Sequence, residues 1–132
     1  MSYWEDRRDE LDKLYPSCNS FVKFHEKYNR GLVESIRCGV VFLYAPWSGP
    51  ALSRFKFSCY ALEDSVPWER FSFDVVNVDG LGSGEPFTRE EALGGYGEVF
   101  WVSSGKIIES MGREWSKEIF SLNTQRLIED HG

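Results

Sequence analysis

The sequence predicts an α/β domain, a mixed sheet covered by helices and preceded by a helical segment. Three observations predict it. "GVVFLYA" at 39–45 is a continuous apolar run rich in β-branched and aromatic residues, the pattern of a central strand buried on both faces. A helical pattern and a second buried strand, "FSFDVVNVD" at 71–79, follow it, so β and α alternate as a parallel sheet requires. "GEVFWVSSGKIIES" at 97–110 then sets two strand runs around Ser-Ser-Gly, the pattern of an antiparallel hairpin.

The remaining elements follow from spacing. Residues 3–15 place Trp4, Arg8, Leu11, Leu14 and Tyr15 at helical intervals among mixed charges, and Pro16 ends that helix. Phe21, Phe24, Tyr28 and Leu32 form another helical stripe, with Asn19 or Ser20 as its cap. Gly31 ends or interrupts this second helix, which could run on to Ile36. Pro50 suits a helical first turn, and Leu52, Phe55, Cys59 and Leu62 mark that helix's apolar face. Pro67 falls in the loop beyond. "GLGSGEPF" at 80–87 reads as a flexible loop, and Thr88 with Glu91 as the capping box of a short helix at 89–93. A terminal helix is expected from Ser116 to Glu129, on Ile119, Phe120, Leu122, Leu127 and Ile128. The whole of 1–132 is read as a single domain, with 1–30 as a helical N-terminal extension.

Bulk properties exclude several functions. A chain of 132 residues buries roughly two-thirds of its unfolded surface, enough for a core without metal or disulfide staples. Hydrophobic content of 42% and aromatic content of 16% argue for a packed globule. Net charge is −6 and no Lys/Arg-rich run occurs, so nucleic acid is not an expected partner. An acidic surface suits solubility, or a basic protein partner. No apolar run approaches the roughly 20 residues of a membrane span, and the charged start lacks a signal-peptide core. Cytoplasmic localisation is the expectation. Cys18, Cys38 and Cys59 include no CxxC pair, which argues against a disulfide framework and a zinc site. No cofactor is expected.

Around residue 47 the chain resembles thioredoxin. In that family a buried strand ends in aromatic-Ala-x-Trp, and Cys-Gly-Pro-Cys then opens a helix. Here Tyr44-Ala45-Pro46-Trp47 precedes Ser48-Gly49-Pro50-Ala51. The family's apolar-Asn-apolar-Asp strand is matched by Val76-Asn77-Val78-Asp79, and its hairpin and closing helix by the segments above. The resemblance spans about residues 36–130 and implies a thioredoxin-like fold. It also implies a rim that receives an extended protein segment, formed here by Trp47, Ser48, Gly49, Pro50, Tyr96 and Gly97.

The departures concern chemistry. Dithiol exchange needs a thiolate at a helix N-terminus and a second thiol to resolve the mixed disulfide. Ser48 and Ala51 stand in those places. Phe42 matches the family's buried carboxylate, and Gly97 its cis-proline. A trans peptide is expected at Gly97, because a non-proline cis bond costs roughly 3 kcal/mol.

Ser48 has two readings. As a nucleophile it needs a positioned base, and His25 and His131 lie far away in sequence. As a helix N-cap it needs only its own hydroxyl, and that reading is preferred. Cys59 falls on an apolar stripe and reads as core, whereas Cys18 and Cys38 are the candidates for a reactive thiol. Gly80, Gly82 and Gly84 miss the dinucleotide-loop register, and Asp79 and Glu85 beside them would repel phosphate. Asp74, Asn77 and Asp79 lack metal-loop spacing. Trp47 either lines the rim or packs against its own fold.

The expected function is protein binding without redox chemistry, as an adaptor, a holdase or an inhibitor of the immunity type. The alternative is a single-thiol or glutathione-dependent redox enzyme using Cys18 or Cys38. A third reading is a homo-oligomer subunit joined through Trp4 and its helix.

Overall fold

The computed structural model describes residues 21–28, 31–45, 48–78 and 95–131. The expected helix at 3–15, the loop at 80–87 and the helix at 89–93 lie outside them, as do Cys18, Trp47 and Asp79. Eight elements are described: β1 (Val22–His25), α1 (Leu32–Ser35), β2 (Cys38–Tyr44), α2 (Gly49–Glu63), β3 (Ser72–Asn77), β4 (Val99–Ser103), β5 (Lys106–Met111) and α3 (Lys117–His131). Five strands form one sheet in the order β1-β3-β2-β4-β5. β1 and β2 flank β3 in parallel, while β4 and β5 continue the sheet antiparallel. The mixed sheet covered by helices is the one the sequence predicts.

β2 explains its own composition. Val40, Phe42 and Tyr44 enter one apolar cluster with Phe55, Phe73 and Phe120. Val41, Leu43 and Ala45 enter another on the opposite face with Val33, Ile36 and Phe100. A strand buried on both faces has no polar side to show, so its sequence reads as an unbroken apolar run. The hairpin between β4 and β5 turns on Ser104 (φ 50°) and Gly105 (φ 77°). Positive φ at both central residues is the two-residue turn that matches strand twist.

One predicted helix is a strand. Phe21, Phe24 and Tyr28 fit helical spacing, yet Val22–His25 is β1, paired in register with Phe73–Val76. Over four residues a period of two and a period of 3.6 cannot be told apart. Val22 and Phe24 pack toward the core while Lys23 is exposed, and pairing with β3 decides the matter. Of the second predicted helix, only Leu32–Ser35 is helical among the described residues.

The two long helices keep most of their expected faces. Phe55, Cys59 and Leu62 of α2 are buried, with Leu52 half-buried. On α3, Phe120 and Leu127 are buried, but Ile119 and Leu122 are 46% and 45% exposed. Asn123 and Thr124 take buried positions instead. Hydrogen bonding holds Thr124 there: Trp101 Nε1 donates to its Oγ1 at 3.0 Å, and the hydroxyl donates on to Phe120 O at 2.8 Å. No helix of the described residues is long and apolar enough to cross a membrane.

Candidate functional site

The site lies where β2 ends and α2 begins. Ser48 has extended backbone (φ −110°, ψ 122°) and its amide donates to Ala45 O at 3.0 Å. Its Oγ accepts from Ala51 N at 3.3 Å and donates to Gly95 O at 2.6 Å. Ser48 is therefore the N-cap of α2, as the preferred reading expects, and Pro50 sits in the first turn, where a missing N–H costs nothing. The hydroxyl's hydrogen bonds run to a carbonyl and an amide, neither of which is a base. His25, on β1, is bonded to Asp74 instead.

The segment that faces Ser48 is held along its whole backbone. Gly95 O accepts from Ser48, Tyr96 O from Arg54 Nη1, Gly97 O from Trp115 Nε1 at 2.9 Å, and Glu98 O from Leu43 N at 2.8 Å. The Arg54 guanidinium also stands 5.7 Å from the centre of the Trp115 ring. Burial lowers the pKa of Arg54 from its ordinary value, and the negative field of Glu98, itself 3% exposed, opposes that shift. Arg54 thus couples α2, the 95–98 segment and Trp115.

Three departures from the resemblance meet at one point. Gly97 has φ +73°, and a Cβ there would lie 2.9 Å from Phe42 Cζ and 3.3 Å from both Ala51 Cα and Arg54 Cβ. Proline, whose ring locks φ near −65°, does not fit this backbone. Phe42 and Ala51 are both fully buried. The ring of Phe42 reaches the backbone of Gly97 because that residue has no side chain.

The rim residues separate by exposure. Gly49 and Pro50 are exposed, Ser48 and Tyr96 half-buried, and Gly97 is buried beneath them. Gly49 has no atom within 4 Å of the position a Cβ would take. Trp47 lies outside the described residues. Arg54, Glu98 and Trp115 were missed by sequence reasoning. The one available signal was Arg54 on the turn after Ala51, within reach of whatever Ala51 faces.

The cysteines are divided too. Cys59 is 2% exposed in the core and Cys38 is 5% exposed at the start of β2; both are free thiols. Burial pushes the Cys38 thiol up, with Arg70 partly opposing. Asp74 and Asn77 are buried on β3, and Asp74 is bonded to His25 and Ser72. Among the described residues, no group of three or more His, Cys, Asp or Glu is placed to hold a metal.

No known sequence family matches the chain, and no curated protein matches it in sequence. Solved structures do match. A mutant thioredoxin from Halobacterium salinarum is 12% identical with a TM-score of 0.61, over 81% of this chain and 90% of that one. The fold is thioredoxin-like. A thioredoxin from Malassezia sympodialis gives 15% identity and 0.54, covering 83% of this chain and 90% of that chain. One from Trypanosoma brucei brucei gives 14% and 0.55, covering 76% and 83% respectively. In the thioredoxin-like frame, Ser48 and Ala51 occupy the turn that opens α2.

Proposed function

We propose that this thioredoxin-like chain is redox-inactive and acts by binding a protein partner at the rim of Trp47, Ser48, Gly49, Pro50, Tyr96 and Gly97, as an adaptor, holdase or inhibitor. The observation that carries the reading is the Ser48 hydroxyl. Where dithiol chemistry needs a free thiolate, this group is committed on both sides, to Gly95 O and to Ala51 N. The exposed Gly49 and Pro50 beside the half-buried Tyr96 leave an accessible, weakly polar edge. Because the carbonyls of 95–98 are already engaged, recognition runs through side chains and apolar contact rather than strand addition at those carbonyls. The partner is a protein met in the cytoplasm, and the net charge of −6 favours a basic one.

A single-thiol enzyme would need a stabilised thiolate. Cys38 is displaced in the opposite direction by its burial, so that alternative depends on Cys18. Two measurements test the proposal together. Insulin reduction with dithiothreitol should match the protein-free blank. A photo-crosslinker at Gly49 should capture a defined partner, and Tyr96→Ala should abolish the adduct. Reduction above the blank, or a crosslinking pattern unchanged by Tyr96→Ala, overturns it.

A further inference from the structure

A second polar site lies at the opposite end of the sheet. Ser48 follows the C-terminal end of β2, whereas Cys38 and Ser72 begin the neighbouring parallel strands β2 and β3. Beside these starts is a cleft of about 450 Å³, lined by α1, β1 and the turn that precedes β3.

Its floor contains a buried carboxylate. Asp74 is 2% exposed, and both its oxygens are engaged. Oδ1 meets His25 Nε2 at 2.8 Å, and Oδ2 accepts from the Ser72 hydroxyl. A ring nitrogen bonded to a carboxylate oxygen carries the proton, so His25 Nε2 is the donor. Both Asp74 oxygens are thus taken up inside the protein and are not offered to a ligand.

The walls are basic. Lys23, Arg37 and Arg70 line the cleft and are exposed, against Glu69 on the wall and Asp74 in the floor, a surplus of one positive charge. This local excess of positive charge runs against a chain of net charge −6. One wall is aromatic. The Trp68 indole lines the cleft, held by Phe21, stacked at 4.5 Å and 11°, and by Phe71, at 5.9 Å and 83°. Trp68 Nε1 is fixed by Glu63 O at 3.1 Å. A rigid aromatic wall beside long cationic side chains is the arrangement that holds a flat body by one end and its charge by the other.

We propose that this cleft binds a small organic anion, an oxyanion carried on a flat apolar body. The oxyanion, carboxylate or phosphate, sits among Lys23, Arg37 and Arg70, and the body lies against Trp68. The site is independent of the Ser48 rim and stands whether or not the rim binds protein.

The test is an amide chemical-shift titration of the full chain with phenyl phosphate and with benzoate. Inorganic phosphate and benzyl alcohol supply each half of the ligand alone. Shifts should cluster at 23–25, 35–38 and 68–74, and each half should bind at least about tenfold more weakly than the whole. Arg70→Gln should weaken phenyl phosphate by about tenfold or more, the loss of one charge-assisted contact. Lys23→Gln, on a different strand, should weaken it in the same sense. If phenyl phosphate is preferred to benzoate the ligand is a phosphate ester; the reverse order makes it a carboxylate. Three results overturn the proposal: no shifts at about 10 mM of either aryl anion, shifts centred elsewhere, or wild-type affinity in both variants.

Discussion

Gly97→Ala tests the packing at the site most directly. The residue has φ +73°, and the new methyl would stand 2.9 Å from Phe42 Cζ. The left-handed conformation costs an L-residue about 1–2 kcal/mol. Overpacking a close-packed core adds about 1–3 kcal/mol. Phe42 cannot easily turn away, since its ring meets Phe55 edge-on at 5.8 Å and Tyr44 at 6.2 Å. The sum is about 2–5 kcal/mol, a large share of a typical domain's stability. The assay is urea unfolding. With m of about 1–3 kcal/mol/M, the midpoint should fall by about 1 M or more. A double-mutant cycle then separates the two terms. Phe42→Leu removes Cζ, so Gly97→Ala in that background should cost less, the conformational part of about 1–2 kcal/mol plus what the 3.3 Å approaches to Ala51 Cα and Arg54 Cβ add. Gly49→Ala, with open space around it, is the control and should change stability by under about 1 kcal/mol. A midpoint unchanged in Gly97→Ala, or a cycle with no coupling to Phe42, refutes the packing argument.

Four further outcomes are expected. Ser48→Ala should lower stability by about 1–2 kcal/mol, because it removes the α2 cap and the donor to Gly95 O. Ser48→Cys should alkylate faster at neutral pH than native Cys38, because a helix N-terminus favours thiolate; equal rates would count against the placement of residue 48. Trp115→Phe should cost about 1 kcal/mol by loss of the Nε1 bond to Gly97 O, with its rings still packed on Phe57 and Phe120. Cys38 carries a pH dependence of known sign. Its folded thiol is raised, so the stabilisation from keeping it neutral is complete below the unfolded thiol's value of about 8.5 and is lost as pH rises through the higher folded value. Iodoacetamide labelling of native Cys38 should accordingly stay slower than that of the unfolded chain at pH 8–9, as followed by mass spectrometry; equal rates contradict the assignment.

Legibility in the sequence depended on how local each signal is. β2 was readable because two-sided burial leaves a continuous apolar run, and β3 because Phe73, Val75 and Val76 keep a strand pattern around Asp74. The turn at Ser104-Gly105 and the Ser48 cap were readable because both are settled within four residues. β1 was not readable: its identity comes from pairing with β3, about fifty residues further on. Ile119 and Leu122 were misplaced on α3 because its buried face carries the polar Asn123 and Thr124 beside Phe120 and Leu127, which a hydropathy pattern does not show.

The candidate site divides in the same way. That residues 48 and 51 lack sulfur is a property of the sequence alone, as is the glycine at 97. Tertiary structure decided what replaced the missing groups. It brought Phe42, Ala51, Arg54 and Gly97 into contact from separate segments of chain. It also turned the carbonyls of 95–98 inward to Ser48, Arg54, Trp115 and Leu43. The Asp74–His25 pair is likewise tertiary, joining residues on adjacent strands that sequence spacing keeps apart. Caps, turns and buried strands are written in short-range chemistry. Which donor meets which carbonyl across the fold is set only when distant segments close on a shared core, because burying an unpaired polar group costs about as much as a hydrogen bond contributes.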